Sequence, residues 1–572
     1  MSEPAESIDP TTPQEPPRPP ERRPRSRMGA ASVFAGILLS RIMGFVREGA
    51  FARYFGVGPH QDALTAAMRV PNVLQNLLGE GALSASFIPI YSGLLEEGRD
   101  EEAGRFAGAI FGLMVAAAAG FALLGILLAK PIVVLLAPGF LRDAAAVAAG
   151  KMAVDRFALS VMGIRILFPM TGLLVLSVWA LAILNSNRRF FLPYFAPVLW
   201  NSAMIAALVF VGRQLGGTRG AAEQVQLFKA ACWGGFAGGL LQFGVQLPLV
   251  LSILRGFRPS LSLSVPGVRE ALAAWWPAVA GRGVVQLAGY VDLFLATSLS
   301  TGSASADRFA QLFYLLPISL FGISVAASEL PEMSRLRGEG AAPALLARVR
   351  RALRYVAFLN IPTVVAYLAF GYLVVGFYRR GSFSVADNWL VYLVLCGYST
   401  GILATTTSRL LQNTFYALGD TRSPARIAAI RVGTSAAVAI PLMFFLDQFR
   451  LDALVGPLPL QERTLYLGSL GLAFASGFGA WMELYQLRAA LRRRLPDFHL
   501  PWREDARMAL LALVATLPGA LVWWLLPAAL RPILKAVLVL GTYGVAYLAL
   551  AKLARLEEVE SLLAGVRRRL GR

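Results

Sequence analysis

The stretch Phe106–Ala129, FAGAIFGLMVAAAAGFALLGILLA, contains no charged residue and no proline. A helix of about 20 apolar residues reaches across the hydrocarbon core of a bilayer. This segment therefore predicts a transmembrane helix. Comparable runs recur on both sides of it: Ile166 to Ser186, Val198 to Gly212, Ala230 to Leu254, Tyr355 to Tyr378, Trp389 to Ser408, Thr464 to Met482, Met508 to Leu526 and Lys535 to Leu550. Five further runs carry charges or prolines: Met28 to Phe51, Ala63 to Ile90, Ala271 to Ser298, Phe309 to Leu330 and Ile427 to Leu446. The sum is about 14 spans, roughly half of the chain, and it leaves no room for a large soluble domain. The expected fold is an all-α polytopic membrane protein.

Composition agrees. Of 572 residues, 56% are hydrophobic and 15% charged, where soluble domains carry roughly a quarter charged. Mean hydropathy is +0.59 while the net charge is +20, a pairing expected when cationic loops flank apolar helices. Soluble nucleic-acid binders are basic but not this apolar. The two cysteines, Cys232 and Cys396, stand in apolar surroundings, and the histidines are only His60 and His499. A disulfide scaffold and a cysteine-ligated metal are excluded by that inventory, and two histidines leave little for zinc or triad chemistry. The sequence also lacks a Walker loop, a dinucleotide fingerprint, an HExxH pair and a nucleophile elbow, so it reads as a transporter and not an enzyme.

Met1 to Arg27 is rich in Pro, Glu and Arg with almost no large apolar residue, and reads as a disordered cytoplasmic tail without the order of a cleavable signal peptide. Basic segments such as Arg335 to Arg354, Arg488 to Arg507 and Arg567-Arg568-Arg569 fall on the same side as this tail. That side collects about 32 Lys and Arg against about 14 on the other, which predicts N-in and C-in. A weak repeat relates the halves. Asn185 and Pro197 after the fourth span match Gln412 and Pro424 after the tenth, and the Pro71 interruption of the second span is echoed by Pro317 in the eighth. Six spans separate the copies, so two six-helix lobes of matching orientation are expected, with a substrate site between them. The boundaries are 28–256 for the first lobe, 268–490 for the second, 505–556 for a last helix pair and 557–572 for a basic tail.

Ionisable groups inside spans are costly and mark cavities. In the first span Arg41 and Glu48 share a face, and Arg47 turns inward if Gly44 bends the helix. In the second, Asp62, Arg69, Asn72, Asn76 and Glu80 fall within about 80° of one another, opposite Leu64, Val73 and Leu77. A charged stripe cannot face lipid, so it faces protein or a water-filled cavity. Arginine forks suit phosphate and carboxylate oxygens, which makes an anionic head group the natural ligand. The second half offers Arg282 and Asp292 in the seventh span, Arg431 in the eleventh and Glu483 in the twelfth. Asp292 suits a coupling cation or an arginine partner equally, whereas Arg431 and Glu483 read as a structural pair. Gly234 to Gly238 and Gly235 to Gly239 have GxxxG spacing, a sign of close helix packing.

Several short motifs occur in order along nearly the whole chain. They are Ser40-Arg41-Ile42-Met43-Gly44-Phe45-Val46-Arg47-Glu48, Asp62-Ala63, Pro71-Asn72, Glu80-Gly81-Ala82-Leu83-Ser84 with Phe87-Ile88-Pro89, and Leu136-Ala137-Pro138-Gly139-Phe140. They continue with Arg165 to Pro169, Leu184-Asn185 through Arg189-Phe190-Phe191 to Pro197 and Asn201, Arg380-Gly381-Ser382-Phe383, and Phe415 through Gly419-Asp420-Thr421-Arg422-Ser423-Pro424. This series resembles the MurJ (MviN) family of lipid II flippases. The resemblance implies the multidrug/oligosaccharidyl-lipid/polysaccharide exporter fold, with the last pair, Met508 to Leu526 and Lys535 to Leu550, grooved for a lipid tail. It implies a bacterial inner-membrane protein that moves undecaprenyl-pyrophosphate-linked disaccharide pentapeptide to the outer leaflet for peptidoglycan synthesis, in company with the cell-wall synthesis machinery.

By the same resemblance the family's cavity arginines fall at Arg41 and Arg47, its acidic neighbour at Glu48 and its second-span aspartate at Asp62. Gln75-Asn76 stands where many members have an arginine pair, and Leu312 where they have an eighth-span arginine; Arg69 and Arg282 are the candidates to compensate. A sodium site would match Asp292 and Ser476, but its eleventh-span ligands fall at Ser435 and Ala439. No cofactor is implied, and a coupling cation or the membrane potential would supply the energy. Two other readings stay open at this level: a flippase for another polyprenyl-linked glycan of the O-antigen or capsule type, and a non-transporting membrane scaffold of cell-wall synthesis.

Overall fold

The computed structural model describes residues 27–78, 83, 86–216, 220–336, 342–457, 464–527 and 529–560. Long helices dominate it. The first lobe contains α1 (Arg27–Phe55), α2 (Pro59–Leu78), α3 (Asp100–Leu127), α4 (Arg156–Ser186), α5 (Phe191–Gln214) and α6 (Ala221–Gly244). The second contains α7 (Val268–Thr297), α8 (Ser303–Pro317), α9 (Ala342–Val375), α10 (Val385–Ser399, continued by Ile402–Ala417), α11 (Arg422–Leu446) and α12 (Gly468–Arg492). A closing pair, α13 (Trp502–Leu525) and α14 (Pro532–Leu553), follows.

Nine of the described helices are long and apolar enough to cross a membrane by length and composition. The charged or proline-interrupted α1, α2, α7 and α8 fall outside that set. So does α12, whose first half is rich in Gly and Ser, whereas α11 belongs to it despite Arg431 and Pro441. The apolar run after Phe106 ends in a sharp bend: Ala129–Leu136 and Pro138–Ala148 meet at 108°. At that bend a side chain on Gly139 would stand 2.0 Å from the Thr297 carbonyl oxygen, so glycine lets the bend press on the end of α7.

Prolines inside these helices free a carbonyl four residues earlier, which must find another donor away from water. Pro317 in α8 frees the carbonyl of Phe313, and the Tyr367 hydroxyl of α9 donates to it at 2.9 Å. Beyond Pro317 the chain runs through a π-turn at Ile318–Ile323. Pro362 in α9 frees the carbonyl of Phe358, which accepts from Tyr547 at 3.2 Å, while Tyr543 donates to the Pro362 carbonyl at 2.8 Å. Two tyrosines of α14 thereby dock the closing pair onto α9, where Phe370, Met508, Ala512 and Val539 form their shared core.

Each lobe has its own cores. Leu64, Ile164, Met204 and Phe228 close around α2 and α4 to α6, and Phe309, Val391, Leu395 and Tyr398 around α8 and α10. The GxxxG glycines are packing positions, as expected: Gly234 and Gly238 lie against the backbone of Met204 and Trp200, and Gly235 and Gly239 against Leu167 and Met170. A second glycine ladder tethers the chain between the lobes. Side chains on Gly104, Gly108 or Gly112 would fall 1.7, 2.3 and 2.2 Å from the carbonyl oxygens of Arg255, Arg258 and Ser260, so this connecting segment lies flat on α3. Asp420 organises the start of α11. Its Oδ1 accepts from the backbone of Arg422 and Ser423, both at 3.0 Å, starting α11, and its Oδ2 takes Arg494 at 2.6 Å. Hydrogen bonds from the Ser423 side chain and backbone hold the Asp420 carboxyl below its ordinary range.

Candidate functional site

The two lobes meet along α1, α2, α7 and α8, and at the α1–α2 turn they are sealed. Gly56 adopts φ +63 and sits where a side chain would stand 2.4 Å from the Ser382 carbonyl oxygen, while the Ser382 amide donates to Arg53 at 2.8 Å. Asp387 caps the start of α10 through a reciprocal bond with Ser384 and also accepts from the Val57 amide at 3.3 Å. Asp62 does the same for α8. Its carboxylate, 0% exposed, accepts from the amides of Gly302 at 2.7 Å and Ser305 at 2.8 Å, and from Arg156 at 3.2 Å. Arg156 continues to Asp143 at 2.6 Å. An anion on the free amides of a helix N-terminus is stabilised by hydrogen bonds and by the helix dipole. Asp62 therefore joins α2 to α8 and does not line a cavity.

One turn deeper the lobes part around a small polar cavity. Glu48 of α1, Gln61, Thr65, Arg69 and Asn72 of α2, Asp292 of α7, and Asp307, Arg308 and Gln311 of α8 form its polar wall. Glu48, 2% exposed, accepts from Arg47 at 2.6 Å and from Arg308 at 2.9 Å through the same oxygen. Arg47 stands behind it, bonded to Asn201 at 2.9 Å with its guanidinium 4.8 Å from the Trp200 ring. The Glu48–Arg308 contact is thus an ion pair between lobes. Arg69 lies over Tyr290 at 6.0 Å. Asp307 accepts from Tyr398 at 2.6 Å and from Gln311 at 2.8 Å.

Among the residues expected from sequence, Glu48, Arg69, Asn72 and Asp292 share this wall, and Arg47 supports it from behind. Arg41 is exposed on α1 and is not part of the wall. The side chains of Gln75, Asn76 and Arg282, and all of Glu80, lie outside the described residues. Ser476 is half-buried on α12 away from the lining, and Ala439 is buried beside Leu293. Arg431 and Glu483 pair at 2.6 Å, and Glu483 also accepts from Gln412 at 2.7 Å, the structural role their types suggested. Among the described residues no cluster of His, Cys, Asp and Glu could hold a metal ion.

Hydropathy does not single out Asp307, Arg308, Gln311 and Tyr398. The apolar run of the eighth span begins at Phe309, but the Asp62 carboxylate lets α8 start at Ser303 and brings a polar turn into the helix. The lack of an arginine at Leu312 is consequently misleading. Arg308, one helical turn earlier, reaches the cavity, while Leu312 packs beside the core of the second lobe. The signal that was available is the amphipathic spacing of Asp307, Arg308 and Gln311.

A family model described as lipid II flippase MurJ matches residues 51–544. The lipid II flippase MurJ of Burkholderia cenocepacia is 30% identical over 462 residues, 80% of this chain and 82% of that protein. A solved lipid II flippase MurJ in an inward closed conformation superposes with a TM-score of 0.67 at 20% identity, covering 95% of this chain and 100% of that one. An inward-facing multidrug resistance MATE transporter of the MOP superfamily shares the fold with a TM-score of 0.56 at 14% identity, covering 82% and 98%. A multi-pass helical bundle with a charged cavity between its lobes, matched along almost its whole length by that family model, belongs to the lipid II flippase MurJ family.

Proposed function

We propose that this chain carries the diphosphate-linked head group of lipid II across the bacterial inner membrane by alternating access, while the prenyl chain stays in lipid. The observation that carries the reading is the convergence of Arg69 and Arg308, one from each lobe, on a single polar cavity with Arg47 poised behind Glu48. Guanidinium groups in a low-dielectric wall bind diphosphate oxygens through paired charge-assisted hydrogen bonds. Arg41, Asn72, Asn76, Glu80 and Arg282 belong to the path of the head group in this reading, and Asp292 with Ser476 to a coupling cation. With both termini in the cytoplasm, the sealed α1–α2 turn faces outward, and head-group entry is from the cytoplasmic side. Outward release requires the Asp62, Asp387 and Ser382 contacts to separate as the lobes rock. The lipid-facing flank of α13 and α14, with Leu513, Leu517, Leu521 and Val545 exposed, suits the prenyl tail.

The test is lipid II accessibility at the outer leaflet of cells depleted of their own flippase and supplied with this chain. Accessibility and growth are expected to return with the wild type and to fail with Arg308→Ala or Arg69→Ala at normal protein level. Normal accessibility with both variants would overturn the reading. Rescue confined to a different polyprenyl-linked glycan would replace the substrate.

A further inference from the structure

The acidic and basic groups of the cavity are not matched one to one. Glu48 is compensated in contact by Arg47 and Arg308. Asp292 of α7 shares the wall with Arg69 and makes no ion pair among the described residues. Asp307 differs from Glu48 in lacking a cation in contact, and from Asp292 in being held by hydrogen bonds. It is 5% exposed, its two oxygens are taken by the neutral Tyr398 hydroxyl and Gln311 amide, and no cation lies within ion-pair distance among the described residues. The adjacent Arg308 is turned away toward Glu48. A buried carboxylate held by neutral donors keeps its charge only through those hydrogen bonds and the more distant arginines.

A diphosphate esterified on both phosphates brings two fixed negative charges. Drawn to Arg69 and Arg308, it occupies the arginines whose field favours ionised Asp307 and sets like charge next to that carboxylate. We propose that Asp307 is a proton-binding site that the cavity loads together with the diphosphate head group. The inference rests on the head-group reading above. Linkage makes the coupling reciprocal: the head group favours the protonated carboxyl, and protonation favours the head group by the same factor. The proton comes from the aqueous side to which the cavity is open, binds an Asp307 carboxylate oxygen, and leaves when the head group departs on the other side. No bond to the substrate forms or breaks.

Of the groups around Asp307, Asp292 of α7 is the other carboxylate of the wall without an ion pair among the described residues, and most of the rest are committed elsewhere. On α2, Asp62 is engaged with the amides of α8, and Arg69 is a cation of the wall with no ion pair among the described residues. The Tyr367 hydroxyl of α9 is committed to the Phe313 carbonyl, and Glu483 of α12 to Arg431. Tyr398 of α10 can donate to the carboxylate or accept from the carboxyl, so its hydrogen bond survives both states.

The experiment uses the purified full chain in detergent and a short-chain prenyl diphospho-sugar, whose doubly esterified phosphates take up no proton near neutral pH. Calorimetry in two buffers of different protonation heat reads the protons taken up per ligand bound. For the wild type the expected uptake approaches one proton, with affinity rising by up to about tenfold per pH unit lowered. Asp307→Asn is expected to abolish the uptake and flatten the pH profile, and Asp307→Glu to retain both. Tyr398→Phe, which keeps the carboxyl and removes one donor, should move the linkage curve to higher pH. Binding with no uptake, or with equal uptake in Asp307→Asn, overturns the proton site and leaves the head-group reading standing. No binding by the wild type at any pH overturns the head-group reading, and this one with it.

Discussion

Asp62 and Glu48 are both carboxylates of the first lobe that reach α8, yet one is locked and the other is exchangeable. Asp62 meets two backbone amides and Arg156, so both oxygens are occupied by groups that cannot move without unwinding a helix start. Glu48 meets two arginine side chains through one oxygen, and its Oε2 and the Arg47 Nε have no hydrogen-bond partner among the described residues. Backbone partners make a seal. Side-chain partners with spare capacity make a site that a diphosphate can enter, because its oxygens can replace those of Glu48 on the same guanidinium groups.

The strongest way to break that contrast is Asp62→Ala. It leaves the Gly302 and Ser305 amides without their acceptor in a buried place, while Arg156 keeps Asp143, and a loss of about 1–3 kcal/mol for each unsatisfied amide is expected. A large drop in the thermal midpoint of the detergent-solubilised protein checks it; a midpoint unchanged from wild type would show the seal to be dispensable. Arg308→Ala should do the reverse. Glu48 keeps Arg47, so stability changes little while outer-leaflet lipid II accessibility collapses, and a variant that unfolds instead would place Arg308 with the structural residues.

Tyr367→Phe sharpens the comparison from the side of α8. It leaves the Phe313 carbonyl without its side-chain donor beside Pro317, at a cost of about 1–3 kcal/mol for a buried unsatisfied group. Chemical denaturation followed by tryptophan fluorescence measures it, and no change would mean that the π-turn takes up the carbonyl unaided. The smallest effect belongs to Asp420→Ala outside the membrane. Loss of the residue bonded to the first amides of α11 should cost about 0.5–2 kcal/mol. Because the folded carboxyl is held below its unfolded value of about 3.9, its contribution is present above that pH and disappears as pH falls through the lower folded value. A wild-type minus variant difference that grew on acidification would contradict this sign.

Much of the architecture was legible in the chain because bilayer thickness fixes the length of an apolar helix. The run after Phe106, the polar stripe of α2 and the glycine spacings of α6 are local patterns, and the structure contains the corresponding helices and close approaches. The site was half legible. Periodicity places Asp62, Arg69 and Asn72 on one face of α2, but it carries no information on what stands opposite each turn. Asp62 finds the amides of Gly302 and Ser305, some 240 residues away in sequence, whereas Arg69 and Asn72 find open space.

The sequence by itself determined a cationic, multi-span helical bundle with charge at membrane depth, since hydropathy and helical period are properties of consecutive residues. Only the tertiary structure decided which charge seals and which binds. Asp62, capping α8 from the other lobe, draws Asp307 and Arg308 into the helix and so into the cavity. A hydrogen bond to a distant helix start leaves no trace in local composition.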